Sequence, residues 1–280
     1  MFDLSHNPSP TTSSSDPRHF IIVGVLIVIT TVVLKILLDW ALPLPLQASV
    51  QAITIDWLFG LHIWLISFLF ALVTVFMCYA LVVFRRREGD DGDGEHFEGN
   101  TALEIGWTTA PLIFVVIFSY LGLTTLWDVT ATQDNELVVV AEGFQWGWNF
   151  YYDDIPNPEM VAIEGVLVLP VDQPVLVRLR SKDVLHAFWV PEFRVKQDVV
   201  PSIPYSTMEE ASHDGEYPEE KMTEIRFTPN LVGDYKLRCA ELCGLTHWNM
   251  VKDVRVVEQA EYDEWYESNF GEAATALADQ

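Results

Sequence analysis

Three long apolar runs fill the first half of this chain and constrain everything that follows them. Phe20–Leu38 is nineteen residues broken only by Lys35, and Trp57–Phe84 and Leu103–Leu126 are longer still. Runs of this length suit membrane spans, which need about 20 apolar residues to cross the hydrocarbon core. The second ends at Arg85-Arg86-Arg87, and clustered arginines mark the cytoplasmic side. The acidic, Gly-rich stretch 88–100 is then a cytoplasmic loop, the third span (103–127) leaves on the opposite side, and everything from Asp128 onward is extracytoplasmic. Trp107 and Trp127 sit where interfacial aromatic belts fall. Residues 1–19 are polar and rich in Ser, Thr and Pro, the composition of a disordered segment. The first run is expected to be a retained helix. A signal sequence is the competing reading, because Val50-Gln51-Ala52 offers a small-residue cleavage pattern.

Of the 280 residues half are hydrophobic, yet the formal net charge is −24. The two facts are compatible because the apolar residues concentrate in the spans. Beyond Asn135 the pattern changes to alternating, β-branched segments. Leu137–Val140, Val166–Leu169, Val175–Leu179 and Val254–Val257 read as strands, punctuated by Pro170, Pro174 and Gly233-Asp234. Many short strands with turn signals imply an antiparallel sandwich or barrel. Ala260–Phe270 reads as a short terminal helix and 271–280 as a tail.

Cys239-Ala240-Glu241-Leu242-Cys243-Gly244-Leu245-Thr246-His247-Trp248-Asn249-Met250 carries the chemistry. Thiolate, imidazole and thioether are soft or borderline ligands, the set that selects copper over hard cations. One cysteine would suit a mononuclear site. Two, four apart, can each bridge two ions, which suggests a dinuclear copper centre. A second histidine is then wanted, and His186 in Asp183-Val184-Leu185-His186 supplies it. A structural zinc site would leave Met250 idle. A disulfide, allowed in an oxidising compartment, would need neither histidine. Cys78 lies inside an apolar run and reads as a small membrane-buried residue.

These motifs together resemble subunit II of cytochrome c oxidase, over about Trp57 to Trp265. The resemblance implies a membrane-anchored all-β protein: two or three N-terminal transmembrane helices, then a cupredoxin-like Greek-key β-barrel (128–270) holding a dinuclear CuA centre. It implies that Cys239 and Cys243 bridge the coppers, that His186 and His247 are terminal ligands and that Met250 is a weak one. Glu241 would give its backbone carbonyl to copper and its carboxylate to a magnesium shared with the catalytic subunit. Gly143–Tyr152 is an aromatic patch suited to core packing and interface anchoring. There Trp146 matches the residue where the donor's electron enters, while Gly147 stands where an aromatic residue is common. Leu103–Thr108 resembles the family's second conserved helix, in which the residue matching Glu104 stands at a proton entry. A carboxylate favouring the helix dipole is the plainer account.

The function so implied is electron entry to a haem–copper oxygen reductase of a prokaryotic plasma membrane. Partners would be catalytic subunit I, further subunits and a soluble donor, either cytochrome c or a blue copper protein, with no nucleic acid among them. A quinol oxidase subunit lacks such ligands. The CuA subunit of a nitric-oxide reductase and a membrane-anchored copper-binding protein are the rival readings. The acidity has two accounts, a docking face that steers a basic donor or a saline-adapted surface. Its spread over loop, domain and tail favours the second.

Overall fold

The computed structural model describes residues 17–86, 88–89, 98–152, 163–201 and 222–278. Arg87, most of the 88–100 loop and all but the last residues of the 1–19 segment lie outside them. The chain divides into two units, Met1–Leu44 with Phe59–Leu112, and Pro45–Leu58 with Ile113–Gln280.

Among the described residues three helices are long and apolar enough to cross a membrane: α1 (Pro17–Ala41), α2 (Val50–Val83) and α3 (Thr101–Thr130). Their large side chains point outward, Phe20, Val73, Ile105 and Trp107 each being about two-thirds exposed, as lipid-facing surfaces must be. Ala71, with no side chain beyond Cβ, lets Val23 and Ile27 of α1 close on α2 beside Val75. Lys35 pairs with Asp39 and lies 5.5 Å over the Trp64 ring, so its charge is carried toward a polar, aromatic neighbourhood. Asn100 caps α3 by accepting from the amides of Ala102 and Leu103 at 3.1 and 3.2 Å. Ser49 does the same for α2 through the Ala52 amide at 3.0 Å. That cap explains why α2 begins at Val50 and not at Trp57.

Among the described residues, the strands of the second unit form two five-stranded sheets. Its strands are β1 (Leu137–Phe144), β2 (Gly147–Tyr152), β3 (Ile163–Glu164), β4 (Val166–Pro170), β5 (Val175–Ser181), β6 (His186–Val190), β7 (Val195–Val199), β8 (Thr223–Phe227), β9 (Gly233–Cys239) and β10 (Val251–Val257). One sheet has the order β3-β2-β1-β5-β8 and the other β4-β10-β9-β6-β7. Most pairs are antiparallel, as the turn signals imply, but β1 runs parallel to β5, and β4 parallel to β10. Both pairs join strands distant in sequence. Their orientation comes from how the long connections return, which local turn signals do not encode.

The strands alternate as their sequences require. In β9, Tyr235, Leu237 and Cys239 face inward while Lys236 and Arg238 face out. Trp148, Phe150, Phe188, Phe193, Leu167, Leu179 and Leu237 are fully buried between the sheets, each stabilising by about 1.5–3 kcal/mol. Glu142, on the opposite side of β1 from Ala141 and Gly143, is 1 % exposed. It is neutralised by Arg180 Nε at 2.8 Å and Lys182 Nζ at 2.7 Å, with Tyr151 Oη at 3.1 Å. The Tyr151 phenol is pushed up by burial and by the Glu142 charge. A terminal helix, α4 (Gln259–Ala278), continues past Phe270 through an Ala-rich stretch of high helix propensity. Its Trp265 and Phe270 rings lie 5.4 and 5.7 Å from Tyr152.

Candidate metal centre

Two strand ends and one loop build the site. Cys239 is the last residue of β9 and faces inward by alternation; His186 opens β6, and the two strands pair at Phe188↔Cys239. The loop 240–246 then carries Cys243, and a 3-10 turn, His247–Asn249, places His247 and delivers Met250 to the start of β10. The loop is fastened at both ends, since the Cys239 amide donates to Met250 O at 3.1 Å and the Ala240 amide to Ala187 O at 3.1 Å.

Six candidate donors converge. Cys239 Sγ lies 3.9 Å from His186 Nδ1, 3.8 Å from Cys243 Sγ and 3.2 Å from the Glu241 carbonyl. Cys243 Sγ lies 3.5 Å from His247 Nδ1 and 3.7 Å from Met250 Sδ. His186 is fully buried, and Cys239, Cys243 and Met250 nearly so. The thiols are free and unjoined. Both imidazoles offer Nδ1, and one ligand atom each from His186, Cys239 and Cys243 falls within 4.8 Å of the others. Two sulfurs flanked by two ring nitrogens, a thioether and one carbonyl form the donor set that copper prefers. The buried Met250 sulfur, in contact with Cys243, has no use in a tetrahedral zinc site.

Electrostatics divide the two thiols. Burial raises the Cys239 thiol, but hydrogen bonds from His186 and from the backbone around Ala187 and Glu241 outweigh it and bring it to about 6. Cys243 is raised to about 12, by burial and then by the negative charge on Cys239. Without a cation only one of the pair ionises at neutral pH. Two adjacent thiolates require metal charge between them.

Asp183 is the residue whose role sequence reasoning missed. Its Oδ1 takes His186 Nε2 at 2.8 Å and the Val184 amide at 2.7 Å, and its Oδ2 takes the Gln145 amide at 2.6 Å. A carboxylate on the remote imidazole nitrogen fixes the ring and leaves Nδ1 facing the sulfurs. Burial pulls the His186 ring's pKa down, but the bonds to Cys239 and Asp183 outweigh it and the net shift is upward. The Asp-x-x-His spacing was the available signal.

Trp146 stands at the rim. It is 39 % exposed, and its Nε1 donates to Cys243 O at 3.3 Å, beside Gln145 Nε2 at 2.7 Å. Gly244, at φ +118, lets the loop pass beneath them: a Cβ there would stand 3.0 Å from Gln145 Nε2 and 3.3 Å from the Trp146 ring. Gly147 is small because Phe144 fills the adjoining space, a Cβ falling 2.6 Å from its ring. Glu104 belongs elsewhere, exposed in the first turn of α3 within the other unit, with Thr108 Oγ1 donating to its carbonyl at 2.8 Å.

A two-sheet β domain following membrane helices, with sulfur and imidazole donors gathered between its last strands, defines a membrane-anchored metalloprotein of cupredoxin-like fold. Residues 37–124 match the family described as cytochrome C oxidase subunit II, transmembrane domain, and residues 156–257 the one described as its periplasmic domain. Cytochrome c oxidase subunit 2 of Synechocystis sp. is 30 % identical over 273 residues, covering 81 % of this chain and 75 % of that protein. The subunit 2 of Thermostichus vulcanus is 29 % identical, covering 81 % and 78 %. Among solved structures, the periplasmic domain of subunit II of cytochrome oxidase from Bradyrhizobium japonicum is 28 % identical and covers 51 % of this chain and 100 % of that one, with a TM-score of 0.39. The chain belongs to the cytochrome c oxidase subunit II family. It is thus a membrane-bound subunit of a haem–copper oxidase, an oxidoreductase, with an extracytoplasmic domain.

Proposed function

We propose that this chain is the electron-entry subunit of a terminal oxidase in a prokaryotic plasma membrane. It takes electrons from a soluble carrier, cytochrome c or a blue copper protein, and hands them to haem in catalytic subunit I. There oxygen is reduced to water with proton translocation. The convergence of Cys239, Cys243, His186, His247, Met250 and the Glu241 carbonyl around a sulfur pair 3.8 Å apart carries this reading.

A dinuclear copper centre held here would supply one-electron transfer at small driving force. The chain supplies the frame. Cys239, Cys243, His186 and His247 would hold the coppers, with Met250 and the Glu241 carbonyl as weaker donors. Asp183 holds His186 in one tautomer, and the closed β core excludes water. Trp146, exposed and bonded to the Cys243 carbonyl, is the contact for the donor. The Glu241 carboxylate would hold magnesium at the boundary with subunit I, and Glu104 would collect protons at the cytoplasmic edge. The loop 88–100 is cytoplasmic, 128–270 is extracytoplasmic and α1 is retained.

Metal analysis and electron-spin resonance of the purified complex test the assignment. Two coppers per chain, with a signal split by both nuclei in the one-electron-oxidised form, are expected. One copper, or zinc, overturns it.

A further inference from the structure

The segment before α2 is built into the β domain. Ala48, Ser49 and Ala52 are fully buried and Gln51 nearly so. The Ala48 amide donates to Glu192 O at 3.0 Å, the Asn230 amide to Ala48 O at 3.2 Å and the Val50 amide to Thr228 O at 3.0 Å. Ser49 Oγ donates to Phe193 O at 2.8 Å, and Gln51 Oε1 accepts from the Thr228 amide at 2.9 Å. Arg194 locks the junction. Its Nε and Nη2 reach the two oxygens of Asp56, in the second turn of α2, at 2.7 and 3.0 Å. Its remaining N–H groups donate to the carbonyls of Pro191, Leu46 and Pro45. Both charged side chains are largely buried, 9 % and 12 % exposed, and Arg194 holds a left-handed backbone, φ 58, to make the turn. A guanidinium with its planar fork filled by a carboxylate and backbone carbonyls is a fixed joint, not a surface ion pair.

This joint follows, after one short turn, the strand that carries a proposed ligand. β6 begins with His186 and ends at Val190, where the Pro191–Phe193 turn leads into Arg194. A five-residue strand of this kind is a stiff lever of about 16 Å. We propose that Arg194 is a positioning residue: through Asp56 it seats the site-bearing sheet on the first turns of α2, and so sets the path by which the electron leaves for the catalytic subunit. The inference rests on the electron-entry reading above. In the step concerned, one electron leaves the site and a ferric haem becomes ferrous, with no bond made or broken in this chain. Arrival of the electron depends on Trp146 and the rim loop. Its departure depends on where the whole domain is held, so loosening the joint separates the two.

The test uses the assembled oxidase carrying Asp56→Asn, Arg194→Lys or the reciprocal pair Asp56→Arg with Arg194→Asp. Two readouts are taken: hydrogen exchange at the Ala48, Val50 and Asn230 amides, with and without copper, and the separate rates of uptake and onward transfer after photoreduction. In the single variants exchange should speed up with or without copper. Copper content and uptake should hold while onward transfer slows several-fold. The reciprocal pair should recover part of the loss. Faster exchange with an unchanged onward rate, or a loss of copper in every variant, would reduce Arg194 to a stability element and overturn the proposal. Absence of any donor-to-site transfer in the unmodified oxidase would instead sink the electron-entry reading and leave the joint unaffected.

Discussion

The candidate metal centre is made of two unlike halves. His186 and Cys239 sit on strand ends, buried, with paired backbones and a carboxylate behind the imidazole. Cys243, His247 and Met250 sit on a loop whose large apolar side chains are bare: Leu242, Leu245 and Trp248 are 76, 89 and 78 % exposed. Charge divides along the same line, with one thiol at about 6 and the other at about 12. The strand half is organised by the fold before any metal arrives. The loop half would be completed by a metal, whose charge would displace the Cys243 proton.

The largest effect should come from breaking the loop half. Cys243→Ser removes one bridge and should reduce copper from two ions per chain to at most one, abolishing the signal split by two nuclei. Retention of two coppers would show that Cys243 does not bridge. Next, a pair of tryptophans sharpens the contrast. Trp148, fully buried with its ring 6.1 Å from His186, should cost about 3–5 kcal/mol as Trp148→Ala, and copper with it. Trp248→Ala, on the loop, should change stability by less than about 0.5 kcal/mol. Urea unfolding of the metal-free protein measures both, and comparable costs would erase the distinction.

Trp146→Ala tests the rim between the halves. Copper content should stay unchanged while electron uptake from the native donor slows, measured by stopped flow. Normal uptake by a fully loaded variant would end the claim that electrons enter there. The smallest effect is in the metal-free protein's thiol chemistry. Cys239 loses its proton as pH rises through about 6, so its alkylation by iodoacetamide should climb to a plateau by neutral pH. Cys243, held protonated to about 12, should stay unmodified at pH 7–8. Peptide mapping separates these two from Cys78, and equal labelling would contradict the division.

Much of this was legible in the sequence because it is local. Membrane-length apolar runs, the arginine cluster, alternating strands and a ligand run with fixed spacings all lie within single stretches of chain, where periodicity and residue chemistry carry the information. The sequence determined which side chains are available to a metal. Tertiary structure decided what surrounds them. Trp146 and Trp148 differ by two positions, yet one is at the rim and the other in the core, because the β1–β2 turn ends between them. Asp183 is one acidic residue among many until the fold turns its carboxylate onto His186 and Gln145. The parallel pairings of β1 with β5 and β4 with β10, and the joint between Asp56 and Arg194, 138 positions apart, depend on contacts between distant segments. Those arise when the two sheets close over a shared core, and no single stretch of the chain encodes them.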